Sequence, residues 1–329
     1  MVYIICILLV YSFSFFYFFE KVNKKFNLYD YPEGKRKIHK KLVPFTGGLF
    51  IIIFFDIFSI FKIYQGNPIL FENTVYKSIF LLLYLNLFFF IGFLDDCNKI
   101  SLNYRIISIV ILIFFFITTN ELSIEFLNFR YLSQIHINLE YLQILFTIFC
   151  VFIFMNALNM FDGINGQSGL YILFFCLILL LISKKLDILF LIISILIFLY
   201  FNLKNKFFIG NSGISFLGCL LSYLVLKIYK IPSVILVEDI LSLMFLPGIE
   251  LCRLFFLRIA SKKNPFIGDK NHIHHILNKK FKLSNVLLIN NFLAFSPYVL
   301  LNYIKVKFLV VFILFLYFYL VFPHKKNIK

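Results

Sequence analysis

The sequence predicts an all-α membrane protein, a polytopic helical bundle of about eleven transmembrane helices, with ten as the alternative count. Three observations predict it. Apolar residues make up 61% of the chain and charged residues 15%, with a mean hydropathy of +0.93, whereas a soluble domain is roughly half apolar and about a quarter charged. Apolar runs recur from one end to the other, each near the ~20 residues that cross a ~30 Å hydrocarbon core as helix. No internal repeat or Gly/Ser linker divides them, so a single domain over residues 1–329 is expected.

The runs fall at residues 1–19, 46–64, 78–94, 104–119, 141–158, 168–183, 186–203, 212–229, 234–257, 284–304 and 306–322. The first has no basic leader and no small-residue cleavage site before Glu20, and reads as a retained helix. The ninth carries Pro247-Gly248, where a break is expected, followed by Glu250 and Arg253 on one face. A broken helix with an internal ion pair lines a cavity or a site. Six cysteines sit in or beside the runs with no C-x-x-C pair, and read as small apolar residues.

The net charge of +16 raises the question of nucleic acid, and the placement of the charges argues against it. With the N-terminus outside, 22 Lys and Arg fall in cytoplasmic segments and 9 on the other side. The positive-inside rule then orients this multi-pass chain N-terminus out and C-terminus in, with the plasma (cell inner) membrane taken as its membrane. That basic face suits anionic membrane lipids and phosphorylated substrates.

On this orientation every chemically suggestive polar segment lies on the cytoplasmic side. Residues 36–41, with Lys40, precede Pro44 and Gly47-Gly48; cations beside a flexible glycine pair can bring charge and backbone N–H groups to a phosphate. Gly92-Phe93-Leu94-Asp95-Asp96 closes the third run. Adjacent carboxylates there repel unless a cation is bound, and two Asp plus phosphate oxygens suit Mg²⁺. In the segment 156–169, Asn156 and Asn159 share a helix face that Asp162 is expected to continue before Gly163 and Gly166 break it. Gly210-Asn211-Ser212-Gly213 opens the eighth run, a helix N-terminus suited to an anion and equally to an ordinary N-cap. The loop after the ninth run holds Asp269, Lys270, His272, His274 and His275. Three histidines there lack an obvious fourth zinc ligand, and contact with a pyrophosphate fits them better.

Together these segments resemble the polyprenyl-phosphate N-acetylhexosamine-1-phosphate transferase superfamily, of glycosyltransferase family 4 type. The matching stretches, in order along nearly the whole chain, are residues 36–48, Asp95-Asp96, 156–166, 210–218 and 272–275. The H-x-H-H form resembles the branch acting on UDP-N-acetylglucosamine. Two positions depart from the family pattern. Asn211 stands where the family has an Asp that binds magnesium, and Asn165 where it has the second Asp of D-G-x-D-G.

The resemblance implies transfer of a HexNAc 1-phosphate, GlcNAc-1-phosphate first among them, from a UDP-sugar to polyprenyl (undecaprenyl) phosphate with release of UMP. This would be the first membrane step of a cell-envelope polysaccharide pathway. It implies Asp95, Asp96 and Asp162 as catalytic residues. Lys40, Asn156, Asn159, Gly163, Arg253, Asp269, His272, His274 and His275 are expected at the substrates. Mg²⁺, with Mn²⁺ as a substitute, is expected at Asp95, Asp96 and Asn211. A homodimer is among the assemblies the reading allows. The competing classes are a catalytically silent membrane scaffold, suggested by Asn211 and Asn165, and a secondary transporter, which need not gather its polar motifs on one side.

Overall fold

The computed structural model describes residues 2–30, 42–130, 136–262, 271–304 and 308–321. Lys40 and Asp269 lie outside the described residues. Helix is the dominant element: α1 (Val2–Phe26), α2 (Gly47–Tyr64), α3 (Val75–Asp96), α4 (Leu102–Thr119), α5 (Gln143–Phe161), α6 (Gln167–Ser183), α7 (Asp187–Asn202), α8 (Gly210–Tyr229), α9 (Val237–Leu243), α10 (Phe245–Ala260), α11 (Ile273–Asn278), α12 (Leu283–Val299) and α13 (Phe308–Val321). Two short antiparallel pairs accompany them. β1 (Tyr29–Asp30) pairs with β2 (Val43–Pro44), and β3 (Phe126–Asn128) with β4 (His136–Asn138).

Seven of these helices are long and apolar enough to cross a membrane, and α9 with α10 makes an eighth if that bent pair is one span. Shorter apolar helices stand at α6, α7 and Val310–Val321, on three further runs of the sequence. The bend between α9 and α10 is 72°, but it falls at Met244, ahead of the expected Pro247. Pro247 lies in the first turn of α10, where its missing N–H has no carbonyl to lose.

The core is built around α8, which is buried along nearly its whole length. Glycines let its neighbours approach. A Cβ on Gly92 of α3 would lie 2.5 Å from the Asn211 carbonyl oxygen, and one on Gly48 of α2 would overlap Gly213. Outward faces carry large apolar side chains such as Tyr3, Phe13, Leu181 and Phe315, as a lipid-facing surface requires.

The bundle has two polar ends. At one, Lys62 of α2 pairs with Asp187 of α7 at 2.8 Å, and Tyr223 and Lys227 of α8 meet Glu72 at 2.5 and 3.1 Å. There too Arg130 binds Asp239 of α9 at 2.7 Å, and Tyr229 receives the Asn128 N–H at 2.9 Å. These contacts fasten loops to helix ends. The other end gathers the start of α2, the end of α3, the start of α4, the end of α5, and the starts of α6 and α8. It contains the described parts of the chemically suggestive segments.

Candidate active site

Gly47 and Gly48 do not offer their N–H groups to a ligand. They donate to the carbonyls of Phe208 and Ile209 at 2.8 and 2.9 Å, while Phe208 N–H returns to Pro44 at 2.7 Å. This pairing locks the entrance of α2 to the entrance of α8. The α8 N-terminus also has its anion within the protein. Asp96 accepts the N–H of Asn211 on Oδ1 at 2.8 Å and that of Ser212 on Oδ2 at 2.9 Å. A carboxylate on exposed first-turn N–H groups satisfies donors that the helix cannot pair itself and complements its dipole. Gly210, at φ +74°, makes the turn possible, and a Cβ there would sit 2.7 Å from the same carboxylate.

Asp95, one residue earlier, faces differently. Its Oδ2 receives Arg105 Nη1 of α4 at 2.5 Å and Asn211 Nδ2 at 2.8 Å. Asp95, Arg105, Asn156, Asn159, Asn211 and Ser215 line one cleft, floored by Met155 and Ile214. The i, i+3 spacing of Asn156 and Asn159 does place both amides on it. Its volume of about 20 Å³ holds little more than one water, because Arg105 reaches across it to Asp95. Among the described residues Arg105, which follows the Asp95-Asp96 pair in the sequence, is the cation that meets Asp95.

Asp162 leaves that face. α5 ends at Phe161, and Asp162 turns with ψ 72° to accept Ser168 Oγ of α6 at 2.5 Å. Removal from water pushes its carboxyl up to about 6, with the Ser168 hydrogen bond pulling the other way. The following loop is pinned by Asn202, which receives the Gly166 N–H at 2.7 Å and donates to the Phe207 carbonyl at 2.9 Å. Asn165 donates to the side chain of Asn205, so the amide at this position closes a loop contact.

The histidine segment lies over this loop. A Cβ on Gly163 would overlap the His274 ring, which explains glycine there. His272 and His274 stack with centroids 5.1 Å apart, and His275 meets His274 edge-on at 4.3 Å. Burial, and secondarily the two neighbouring imidazoles, hold His274 well below the usual histidine range. Among the described residues no group of three His, Cys, Asp or Glu is arranged to hold a metal ion.

Arg253 is joined to the same segment from behind. It donates to Glu250 at 2.6 Å, to Tyr317 of α13 at 2.9 Å and to the Asn271 carbonyl at 2.6 Å. Glu250 also receives the Ile273 N–H at 2.7 Å and the Tyr317 hydroxyl. The expected i, i+3 ion pair is present, and this network braces the histidines against α10 and α13. Gln167, which the sequence reading passed over, meets His274 Nδ1 at 3.2 Å.

The family model for glycosyl transferase family 4 matches residues 78–229, a stretch containing Asp95, Asp96, Arg105, Asp162 and Asn211. The chain is 30% identical over 271 residues to an undecaprenyl-phosphate alpha-N-acetylglucosaminyl 1-phosphate transferase of Thermotoga maritima, covering 81% of this chain and 78% of that one. An Escherichia coli protein of the same name is 27% identical over 288 residues, covering 80% and 72%. A Bacillus subtilis protein named as a probable undecaprenyl-phosphate N-acetylglucosaminyl 1-phosphate transferase is 25% identical over 270 residues, covering 78% and 72%. With the extent of the Thermotoga maritima match and the family model on the segment that builds the cleft, this chain belongs to glycosyl transferase family 4.

Proposed function

We propose that the protein transfers N-acetylglucosamine 1-phosphate from UDP-N-acetylglucosamine to undecaprenyl phosphate, releasing UMP. The observation that carries the reading is the cleft in which Asp95, Arg105, Asn156, Asn159 and Asn211 meet, in a chain whose relatives bear that activity in their names. The lipid phosphate oxygen attacks the β-phosphorus of the nucleotide sugar. The new P–O bond forms as the bond to the α-phosphate oxygen breaks, and UMP leaves with that electron pair. Such a transfer depends on positioning and on neutralising charge between two anions.

Asp95 orients the attacking phosphate and takes its proton when it carries one. Arg105 releases Asp95 and pairs with phosphate oxygens, a fork geometry that guanidinium supplies well. Asn156 and Asn159 present amides to the nucleotide, and Asp162 fixes the loop carrying Gly163. His272, His274 and His275 hold the diphosphate, and Arg253 keeps their segment in place.

The Asp95 carboxylate at the cleft fits a magnesium ion, which takes one or two protein carboxylates and completes its shell with phosphate and water. Asp95 would hold it, with Asp96 fixed beside it by α8 and Asn211 steadying Asp95. Bound there, Mg²⁺ would offset the charge on the diphosphate and on departing UMP; Mn²⁺ would serve in its place.

We place this end of the bundle in the cytoplasm, with eleven spans in the plasma membrane and the N-terminus outside, on the distribution of Lys and Arg. In a background lacking the native cysteines, Asn205→Cys should resist a membrane-impermeant maleimide in intact cells and Asn128→Cys should react. The converse pattern overturns the orientation. For the activity itself, purified protein is incubated with UDP-N-acetylglucosamine, Mg²⁺ and undecaprenyl phosphate. UMP and a lipid-linked sugar are expected from the native protein and not from Asp95→Asn. No UMP above a protein-free control overturns the transferase reading and leaves the silent scaffold.

A further inference from the structure

Three buried polar side chains run in a line from α12 to the histidine segment. Asn290, Gln167 and His274 are each about 1% exposed. Asn290 Nδ2 donates to Gln167 Oε1 at 3.2 Å, and Gln167 Nε2 faces His274 Nδ1 at 3.2 Å. Asn290 Oδ1 is itself buried without a hydrogen-bond partner among the described residues, so the direction of the line is read at Gln167. With the Gln167 oxygen accepting from Asn290, its nitrogen turns to His274. An amide nitrogen has hydrogens to give and no lone pair to receive one, so Nδ1 accepts and the ring proton resides on Nε2. That second nitrogen is buried and has no hydrogen-bond partner among the described residues. It lies against Gly163, where any Cβ would overlap it.

A buried donor left unmade is costly, and such a group at a site is accounted for when a ligand atom completes it. We infer that Gln167, backed by Asn290, is a positioning residue that holds His274 as the neutral Nε2–H tautomer, so that His274 offers an uncharged hydrogen-bond donor to an oxygen of the substrate diphosphate. This rests on the transferase reading for the identity of the oxygen. The tautomer rests only on the line of amides.

The surroundings agree with a neutral ring. His272 stacks on one side and His275 meets its edge, so a proton added to His274 would face two other imidazoles. Gln167 of α6 and Asn290 of α12 bring no charge to balance it. Desolvation acts in the same direction. A neutral N–H donor differs from a lysine or arginine contact in one useful respect: it binds a phosphate oxygen without becoming a buried cation when the product leaves.

The chain has six histidines, few enough for ¹⁵N-histidine labelling of the full protein in lipid or detergent, with His274→Gln identifying the His274 signals. The wild type should show a pyridine-like Nδ1 and a pyrrole-like Nε2 at neutral pH. Gln167→Leu should lose the single tautomer, and Gln167→Glu, whose carboxylate accepts, should move the proton to Nδ1. A pyrrole-like Nδ1 in the wild type, or a His274 spectrum unchanged in Gln167→Leu, overturns the tautomer assignment. The wild-type spectrum decides this even if a variant fails to fold. Addition of UDP and Mg²⁺ should shift the Nε2 resonance. A resonance that stays in place with UDP bound overturns the diphosphate contact, a result separable from the tautomer because neither readout requires turnover.

Discussion

Asp96 Oδ2 and the Ser212 N–H lie 2.9 Å apart, across 116 residues of sequence, and with the Asn211 N–H at 2.8 Å they make the end of α3 the cap of α8. The pair Asp95-Asp96 therefore divides its labour. Asp96 anchors the central helix, and Asp95 faces the cleft.

Asp96→Ala should lower stability by about 1–2 kcal/mol through loss of a helix cap, read as a lower thermal midpoint in detergent. Asp96→Asn keeps an acceptor oxygen and should fall between Ala and wild type. Asp95→Asn should melt close to wild type while losing turnover. Equal melting of Asp96→Ala and wild type would remove the cap from the account.

Among the described residues Arg105 is the cation paired with Asp95, at 2.5 Å. Removing an electrostatic partner of the reacting charge costs roughly 10²–10³ in rate. Arg105→Ala should lose turnover on that order, and Arg105→Lys, which keeps charge but not the fork, should recover part of it. Arg105→Ala with turnover within about threefold of wild type, well under 1 kcal/mol in the barrier, would show that the guanidinium only closes the cleft.

Much of this was legible beforehand for physical reasons. The apolar runs announce helices because a lipid-facing backbone must pair its own polar groups. Asn156 and Asn159 fall together because i and i+3 share a helix face whatever surrounds it. Glu250 and Arg253 pair for the same reason. Contacts between distant helices carry no such spacing rule. Nothing near Asp96 in the chain indicates that its partner is α8, and nothing near Gln167 points to His274, 107 residues on. Asp162 misled because a face extrapolated by period assumes that the helix continues, and α5 stops one residue short of it.

Asp162 should produce opposite pH responses in stability and activity. Its carboxyl is raised from 3.8 to about 6 by burial, so the folded protein holds the proton more tightly than the unfolded chain. The stability from this group is full below the unfolded value and declines as pH rises through the folded one. Asp162→Asn stays neutral, so it should gain on the wild type above about pH 6 and lose that gain in acid. With Asp162 taken to hold the Gly163 loop in its ionised form, accepting Ser168, turnover should fall in the wild type as pH drops through about 6 and stay low in the variant at every pH. Denaturation midpoints and initial rates across that range check both; parallel midpoint curves would show that Asp162 does not titrate there.

Asn211 is the position where this chain departs from the Asp expected of its family, and the structure gives the amide a use. Its Nδ2 donates to Asp95 at 2.8 Å, and its own N–H is held by Asp96. In Asn211→Asp the donor becomes a second carboxylate facing Asp95, with Asp96 alongside. Three neighbouring carboxylates with Arg105 as the nearby cation repel one another until a further cation binds. The same added oxygen strengthens the attraction for a hard divalent ion. Without Mg²⁺ the variant should therefore melt below wild type, and Mg²⁺ should raise its Tm more than it raises that of the native protein. Half-maximal activity should also come at a lower Mg²⁺ concentration. A magnesium titration followed by both melting and rate separates the alternatives. Equal Mg²⁺ dependence of Tm in the two proteins would mean that position 211 does not sense the metal. A variant slower at every Mg²⁺ concentration would mean that the amide's hold on Asp95 matters more than the charge it lacks.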